Sequence, residues 1–231
     1  MVIIVNKTNL FKKIIHAFLI FILFSYSWIF QLIPVILFNL DVEKLNSKTG
    51  VILTTFSSLV LGTILFFIYK KDIIKEFKTF KNNFGNNFDI GAKYWFFGLV
   101  LMISFNTIIM KVLSGGQAAN EQAVQGMITA LPGLMLINAG VLAPWSEELV
   151  FRKSIKEIFN NKWLYATVAG LLFGLAHVVG QTSSWIDWLF ILPYGSLGFS
   201  FALSYYDTDS IFTPIMFHVI HNVALVIFSI I

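Results

Sequence analysis

Three groups of residues in this 231-residue chain combine reactive side-chain types with helical spacing. Glu147 and Glu148 stand side by side with Arg152 four residues beyond the second, and Phe173 precedes His177 by four. His218 precedes Asn222 by four, with His221 beside the pair. Residues four apart share one face of an α-helix. Glu148 and Arg152 can therefore pair, which lowers the cost of burying either. Glu147 points about 100° away from Glu148 and is left free, as suits a general base in a polar interior.

The elements that must hold these groups are set by composition. Hydrophobic residues make up 57% of the chain and charged ones 12%, with a mean hydropathy of +0.79. A water-soluble domain of this size could not enclose that much apolar surface, so the chain reads as an all-α, polytopic transmembrane bundle. No cysteine is present, which removes disulfides, thiolate nucleophiles and cysteine metal sites together. The net charge of +4 does not point to nucleic acid, because the lysines cluster beside the hydrophobic runs and set membrane orientation there.

About seven spans are expected, each near the ~20 residues that cross a bilayer. The first is Ile14 to Asn39, following a basic start at Met1 to Lys13 and bent near Pro34. The others are Val51 to Tyr69, Tyr94 to Leu113, a fourth from Leu131 to Phe159, Trp163 to Gly180, Trp185 to Ser204 and Ile211 to Ile231. Lys70 to Lys93 carries Ile73, Ile74, Phe77, Phe80 and Phe84 at three- and four-residue steps between lysines, the pattern of an amphipathic interfacial helix. Ser114 to Gly126 reads as a loop, and Pro144 should kink the fourth span and free a carbonyl near Glu147. No linker divides the chain, so residues 1–231 form one membrane domain. Within it, 1–130 supplies variable N-terminal spans and 131–231 a motif-bearing core.

Lysine placement gives sidedness. A cytoplasmic N-terminus puts Lys7, Lys12, Lys13, the six lysines from Lys70 to Lys93, Arg152, Lys153, Lys156 and Lys162 inside, and leaves Lys44, Lys48 and Lys111 outside. That asymmetry fits the positive-inside rule. At 1.5 Å per residue, Glu147, His177 and His218 lie roughly 18, 21 and 10 Å in from the inner ends of their helices, so they can meet within the ~30 Å hydrocarbon core. Two plainer readings compete: glutamates lying in water at a helix end, and histidines that only bond between helices. Leu149, Val150 and Phe151 continue the apolar run past the first. The joint presence of a free Glu, two His and an Asn weakens the second.

Taken in order on successive hydrophobic segments, Glu147-Glu148-x-x-x-Arg152, Phe173-x-x-x-His177 and His218-x-x-x-Asn222 resemble the three motifs of the CPBP family. These are the CAAX-protease and bacteriocin-processing intramembrane endopeptidases, also called the Abi family. The resemblance covers roughly Leu131 to Ile231. It implies a membrane-embedded peptidase with a polar cavity opening toward the cytosol. Within that likeness Glu147 with His177 would activate a water, and His218 with Asn222 would stabilise the oxyanion. Glu148, Arg152 and Phe173 fill the remaining motif positions in structural roles, and His221 has a supporting one. Glu147, His177 and His218 could also supply three ligands to a catalytic Zn²⁺ or another divalent ion. A metal-free version with Glu147 as base works equally well.

The expected partners are the lipid bilayer and a peptide or membrane-protein substrate, with no nucleic acid, in a bacterial cell membrane. The high Lys-to-Arg ratio and the abundance of Ile, Asn and Phe point to an AT-rich bacterial genome. Peptide maturation or bacteriocin self-immunity is then favoured over the trimming of prenylated proteins. The competing classes are a non-catalytic membrane partner of a peptide or sensor protein, and an ion-coupled transporter, which would also place Glu and His at mid-membrane.

Overall fold

A computed structural model describes residues 7–113 and 116–231. The first residues of the expected basic start, 1–6, and residues 114–115 of the expected loop lie outside them. Apolar segments that meet lipid must satisfy their backbone groups internally, and every regular element among the described residues is helical. Among the described residues five helices are long and apolar enough to cross a membrane, or six if a bent N-terminal pair counts as one span. The seventh expected crossing is the apolar, 17-residue helix Lys162–Val178.

The chain enters through α1 (Lys7–Ser25), a 3₁₀ turn at Ser27–Gln31 and α2 (Leu32–Leu37). The 43° bend between the two parts falls at Tyr26, not at Pro34. Pro34 sits within the first turn of α2, where a missing N–H leaves no intrahelical bond unmade.

Asn46 caps α3 (Ser47–Asn82) by accepting from the Thr49 N–H at 2.9 Å. This helix runs for 36 residues, about 54 Å at the α-helical rise, well beyond the hydrocarbon core. The expected interfacial helix is therefore not a separate element. Its first part continues α3 and its last part belongs to α4 (Phe84–Thr107). Loss of hydropathy after Tyr69 marks a change of solvent, and no Gly or Pro breaks the helix before Asn82. Phe77 and Phe80 pack on Phe212, with ring centroids 5.1 and 6.0 Å away.

The segment expected as a loop after α4 contains α5 (Ala119–Ala130), which carries several strong helix formers. The span Pro132–Lys156 follows. It is built of α6 (Pro132–Ile137), α7 (Ala143–Glu148) and α8 (Ser154–Lys156), joined by π-helical turns at Asn138–Leu142 and Leu149–Lys153. Then come α9 (Lys162–Val178), α10 (Ile191–Thr208) and α11 (Phe212–Ile230).

The small residues of α9 set its distance from α10. A Cβ on Gly170 would lie 2.7 Å from the Gly195 carbonyl oxygen, and one on Gly174 would lie 2.6 Å from that of Ile191. Only glycine permits this approach, and the resulting fit holds His177 against the first turns of α10.

At the other end of α9, ion pairs join the lysine-rich ends of the helices: Lys13 with Glu157, Lys153 with Glu76, Lys156 with Asp209 and Lys162 with Asp207. Lys44 and Lys48, by contrast, flank the start of α3, and Lys111 lies in the π turn after α4.

Candidate active site

The Pro132–Lys156 helix positions the two glutamates through its irregular turns. In the first π turn the Ala143 N–H bonds to the Asn138 carbonyl, five residues back. The next donor in that pattern would be residue 144, facing the Ala139 carbonyl, but Pro144 has no N–H. Asn222 takes its place, its Nδ2 donating to the Ala139 oxygen at 2.9 Å across from α11. The freed carbonyl expected from Pro144 thus exists, and a motif residue fills it.

Beyond α7 a chain of charged groups crosses from one helix to the next. Glu148 and Arg152 are both fully buried, with Nη1 at 3.2 Å from Oε1, as their four-residue spacing predicts. The same Glu148 oxygen lies 2.8 Å from His218 Nδ1. A carboxylate accepts, so Nδ1–H donates, and Nε2 is the nitrogen left to face the interior. Nε2 is 3.6 Å from Glu147 Oε2, too far for a hydrogen bond. Among the described residues no protein group hydrogen-bonds the Glu147 carboxylate, whose side chain keeps 14% of its exposure.

Aromatic rings enclose this chain. The Arg152 guanidinium lies 4.3 Å from the Phe173 ring centroid, which compensates in part for a charge whose nitrogens make no aligned hydrogen bond. Phe201 stacks on His218 with centroids 5.0 Å apart. Phe173 thus supports both Arg152 and its own neighbour His177, at 4.4 Å. His177 Nδ1 donates to the Phe173 carbonyl at 2.8 Å, and Tyr194 stacks on its ring at 4.6 Å. Its Nε2 is thereby left as the free acceptor.

A cavity of ≈ 290 Å³ brings the expected residues together: Glu147, His177, His218, His221, Asn222 and Phe173 all line it. Glu148 and Arg152 do not; they lie behind His218. The cavity also takes in residues that sequence reasoning missed, namely Asn106 of α4, Asn120, Glu121 and Gln125 of α5, and Tyr194 of α10. The Glu121 and Gln125 pair, four apart in a stretch of good helix formers, carried the signal that a polar helix face stands here.

Among the described residues no three His, Asp or Glu side chains are spaced to hold a metal ion together. Glu147, His177 and His218 line one cavity without being grouped in that way. Both imidazoles spend Nδ1, on Phe173 and on Glu148, the bonding that fixes a ring and leaves its Nε2 for another partner.

Fold and site together define a multi-pass helical membrane protein with a Glu–His cluster on the wall of a largely apolar cavity. Residues 129–224, which hold all three motifs, match the Rce1-like family, described as type II CAAX prenyl endopeptidase Rce1-like. The CAAX-protease likeness of the motifs thus extends over the whole segment that bears them. The chain is 32% identical over 116 residues to the Bacillus subtilis (strain 168) protein named "Putative membrane peptidase YdiL"; the match covers 49% of this chain and 44% of that protein. It is 31% identical over 146 residues to the membrane-embedded CAAX protease MroQ of Staphylococcus aureus (strain USA300), covering 57% and 56%. The chain spans about half the length of these curated relatives. No solved structure matches it.

Proposed function

We propose that the chain is an intramembrane endopeptidase that hydrolyses peptide bonds in membrane-associated peptides or protein tails. Peptide maturation or self-immunity to a bacteriocin is its biological setting. The observation that carries this reading is the run of contacts from Arg152 through Glu148 and His218 toward an unclaimed Glu147 on the cavity wall. The protease names of the two relatives and the family match of the motif segment support it.

The chemistry is that of the chain's own side chains. A water between Glu147 and His177 gives a proton to the Glu147 carboxylate as its oxygen attacks the scissile carbonyl carbon; the His177 Nε2 lone pair accepts the water's second O–H and orients it. The oxyanion meets His218, protonated on both nitrogens, through Nε2–H. In that state Arg152, Glu148, His218 and Glu147 sum to zero net charge before the water reacts. Asn222 spends one amide hydrogen on Ala139 and has a second for the oxyanion. The C–N bond then breaks, and the proton held by Glu147 passes to the leaving amine.

Comparing wild type with Glu147→Gln on a membrane peptide that the wild type cleaves tests the reading; retained cleavage by the folded variant would remove the base. Because no three His, Asp or Glu side chains among the described residues are grouped to hold an ion, cleavage is expected to survive chelation. Loss on chelation with recovery on adding Zn²⁺ would instead show that Glu147, His177 and His218 gather around an ion.

A further inference from the structure

The cavity occupies one half of the bundle, and that half lies away from the lysines. Its walls are the late residues of α4, α9 and α11, the early residues of α10, the upstream part of the Pro132–Lys156 helix, and α5. In α4, the Pro132–Lys156 helix and α9 these are the parts remote from Lys93, Lys153, Lys156 and Lys162, and in α10 and α11 they are remote from the α10–α11 turn, beside which Asp207 and Asp209 pair with Lys162 and Lys156. At the mouth, Glu121 and Gln125 are exposed, while no Lys or Arg lines the cavity anywhere.

Toward the lysine-rich end the space below the cluster is closed. Phe151, Arg152, Tyr165, Tyr205 and Ile211 are buried to 2% exposure or less. Under them the Glu76 carboxylate ties α3 to the α10–α11 turn, accepting from Tyr205 at 3.1 Å and from the Ile211 N–H at 2.8 Å. A substrate cannot reach Glu147 through that plug. The two ends also differ in charge. The lysine-poor end has Lys44, Lys48 and Lys111 against Asp41, Glu43, Glu121 and Asp187; the thirteen other basic residues lie toward the lysine-rich end.

We infer that the lysine-rich end is cytoplasmic and that the cavity opens on the opposite, extracytoplasmic side, contrary to the cytosolic opening implied by the family resemblance. The two expectations cannot both hold for this chain, because α4, the Pro132–Lys156 helix and α9 each carry basic residues toward one end and cavity-lining residues toward the other. Thirteen basic residues on the outer side would oppose the charge rule that governs insertion. The substrate class then follows, resting on the peptidase reading: a peptide or tail that has already crossed the membrane, neutral or cationic in the stretch that passes Glu121.

The absence of cysteine from the chain makes the test direct. Single cysteines are placed at the mouth (Gln125→Cys, and Gln117→Cys as a second reporter nearby) and at the lysine-rich end (Lys81→Cys). Whole cells expressing the full chain are treated with a membrane-impermeant maleimide before and after permeabilisation, and labelling in detergent verifies that each thiol is reactive. The expected result is labelling of Gln125→Cys and Gln117→Cys in intact cells, and of Lys81→Cys only after permeabilisation. Any other pattern among detergent-reactive thiols, including labelling of both ends from outside, overturns the inference. The pattern is read without any cleavage assay, so a failed peptidase reading leaves it standing. If cleavage is observed, blocking Gln125→Cys from outside should reduce it in intact cells.

Discussion

Two carboxylates, the buried Glu76 at the lysine-rich end and the partly exposed Glu147 at the cavity, show how one residue type is put to opposite uses. Glu76 is engaged at both oxygens: Lys153 pairs with one oxygen, Tyr205 donates to the same oxygen and the Ile211 backbone donates to the other. Glu147 has a single long approach from His218 Nε2 and one face on the cavity. A carboxylate engaged at both oxygens holds helices together and has little left to give a substrate. One left uncommitted on a cavity wall has its oxygens free for a bound water or substrate. Glu148 stands between them, committed to Arg152 and His218 and so fixed in place, while its adjacent residue stays open.

The contrast can be broken most sharply at Glu147. Glu147→Gln should lower cleavage by about 10²–10⁴-fold, the span expected for a lost general base, and should leave thermal stability in detergent unchanged. A large drop in Tm instead would place Glu147 with Glu76 as a structural group. Next in size is the committed pair. Arg152→Met leaves Glu148 buried without its cation and should cost about 3–5 kcal/mol, read as a fall in Tm and in membrane yield. The double variant Glu148→Met/Arg152→Met should recover part of that stability yet remain inactive, because His218 Nδ1 has lost the acceptor that orients it. The smallest effect belongs to Glu76→Gln. It keeps the side-chain shape but weakens the bonds to Lys153 and the Ile211 N–H, at a cost of about 1–3 kcal/mol, with cleavage per folded molecule unchanged.

The residues of the site were legible in the sequence because helical spacing is a strong local rule. Glu148–Arg152 is the ion pair the four-residue step predicts, and Glu147, His177, His218 and Asn222 do line one cavity. Partnerships between helices were not legible. Spacing paired His218 with Asn222 on one face but could not reveal that His218 turns to Glu148, or that Asn222 reaches back to Ala139. Hydropathy misled where it was read as conformation. The lysines after Tyr69 marked the end of the apolar run, but α3 continues through them to Asn82. The polar stretch before Leu131 looked like a loop and forms α5, which supplies the cavity with Asn120, Glu121 and Gln125. Pro34 and Pro144 carried opposite lessons: one opens a helix without bending it, the other shapes the backbone five residues back.

The paired π turns around Ala143–Glu148 give the helix an uneven thread. A residue added to or taken from a regular α-helix turns everything beyond it by about 100°, and each wide turn here takes up such a step, one on either side of the glutamates. The short middle piece is thereby set at its own angle relative to the flanking pieces. A deletion that tightened only one of these turns would leave the same carboxylates in the chain, aimed at the wrong wall. The length of this helix, residue by residue, is thus as much a part of the site as the glutamates it carries.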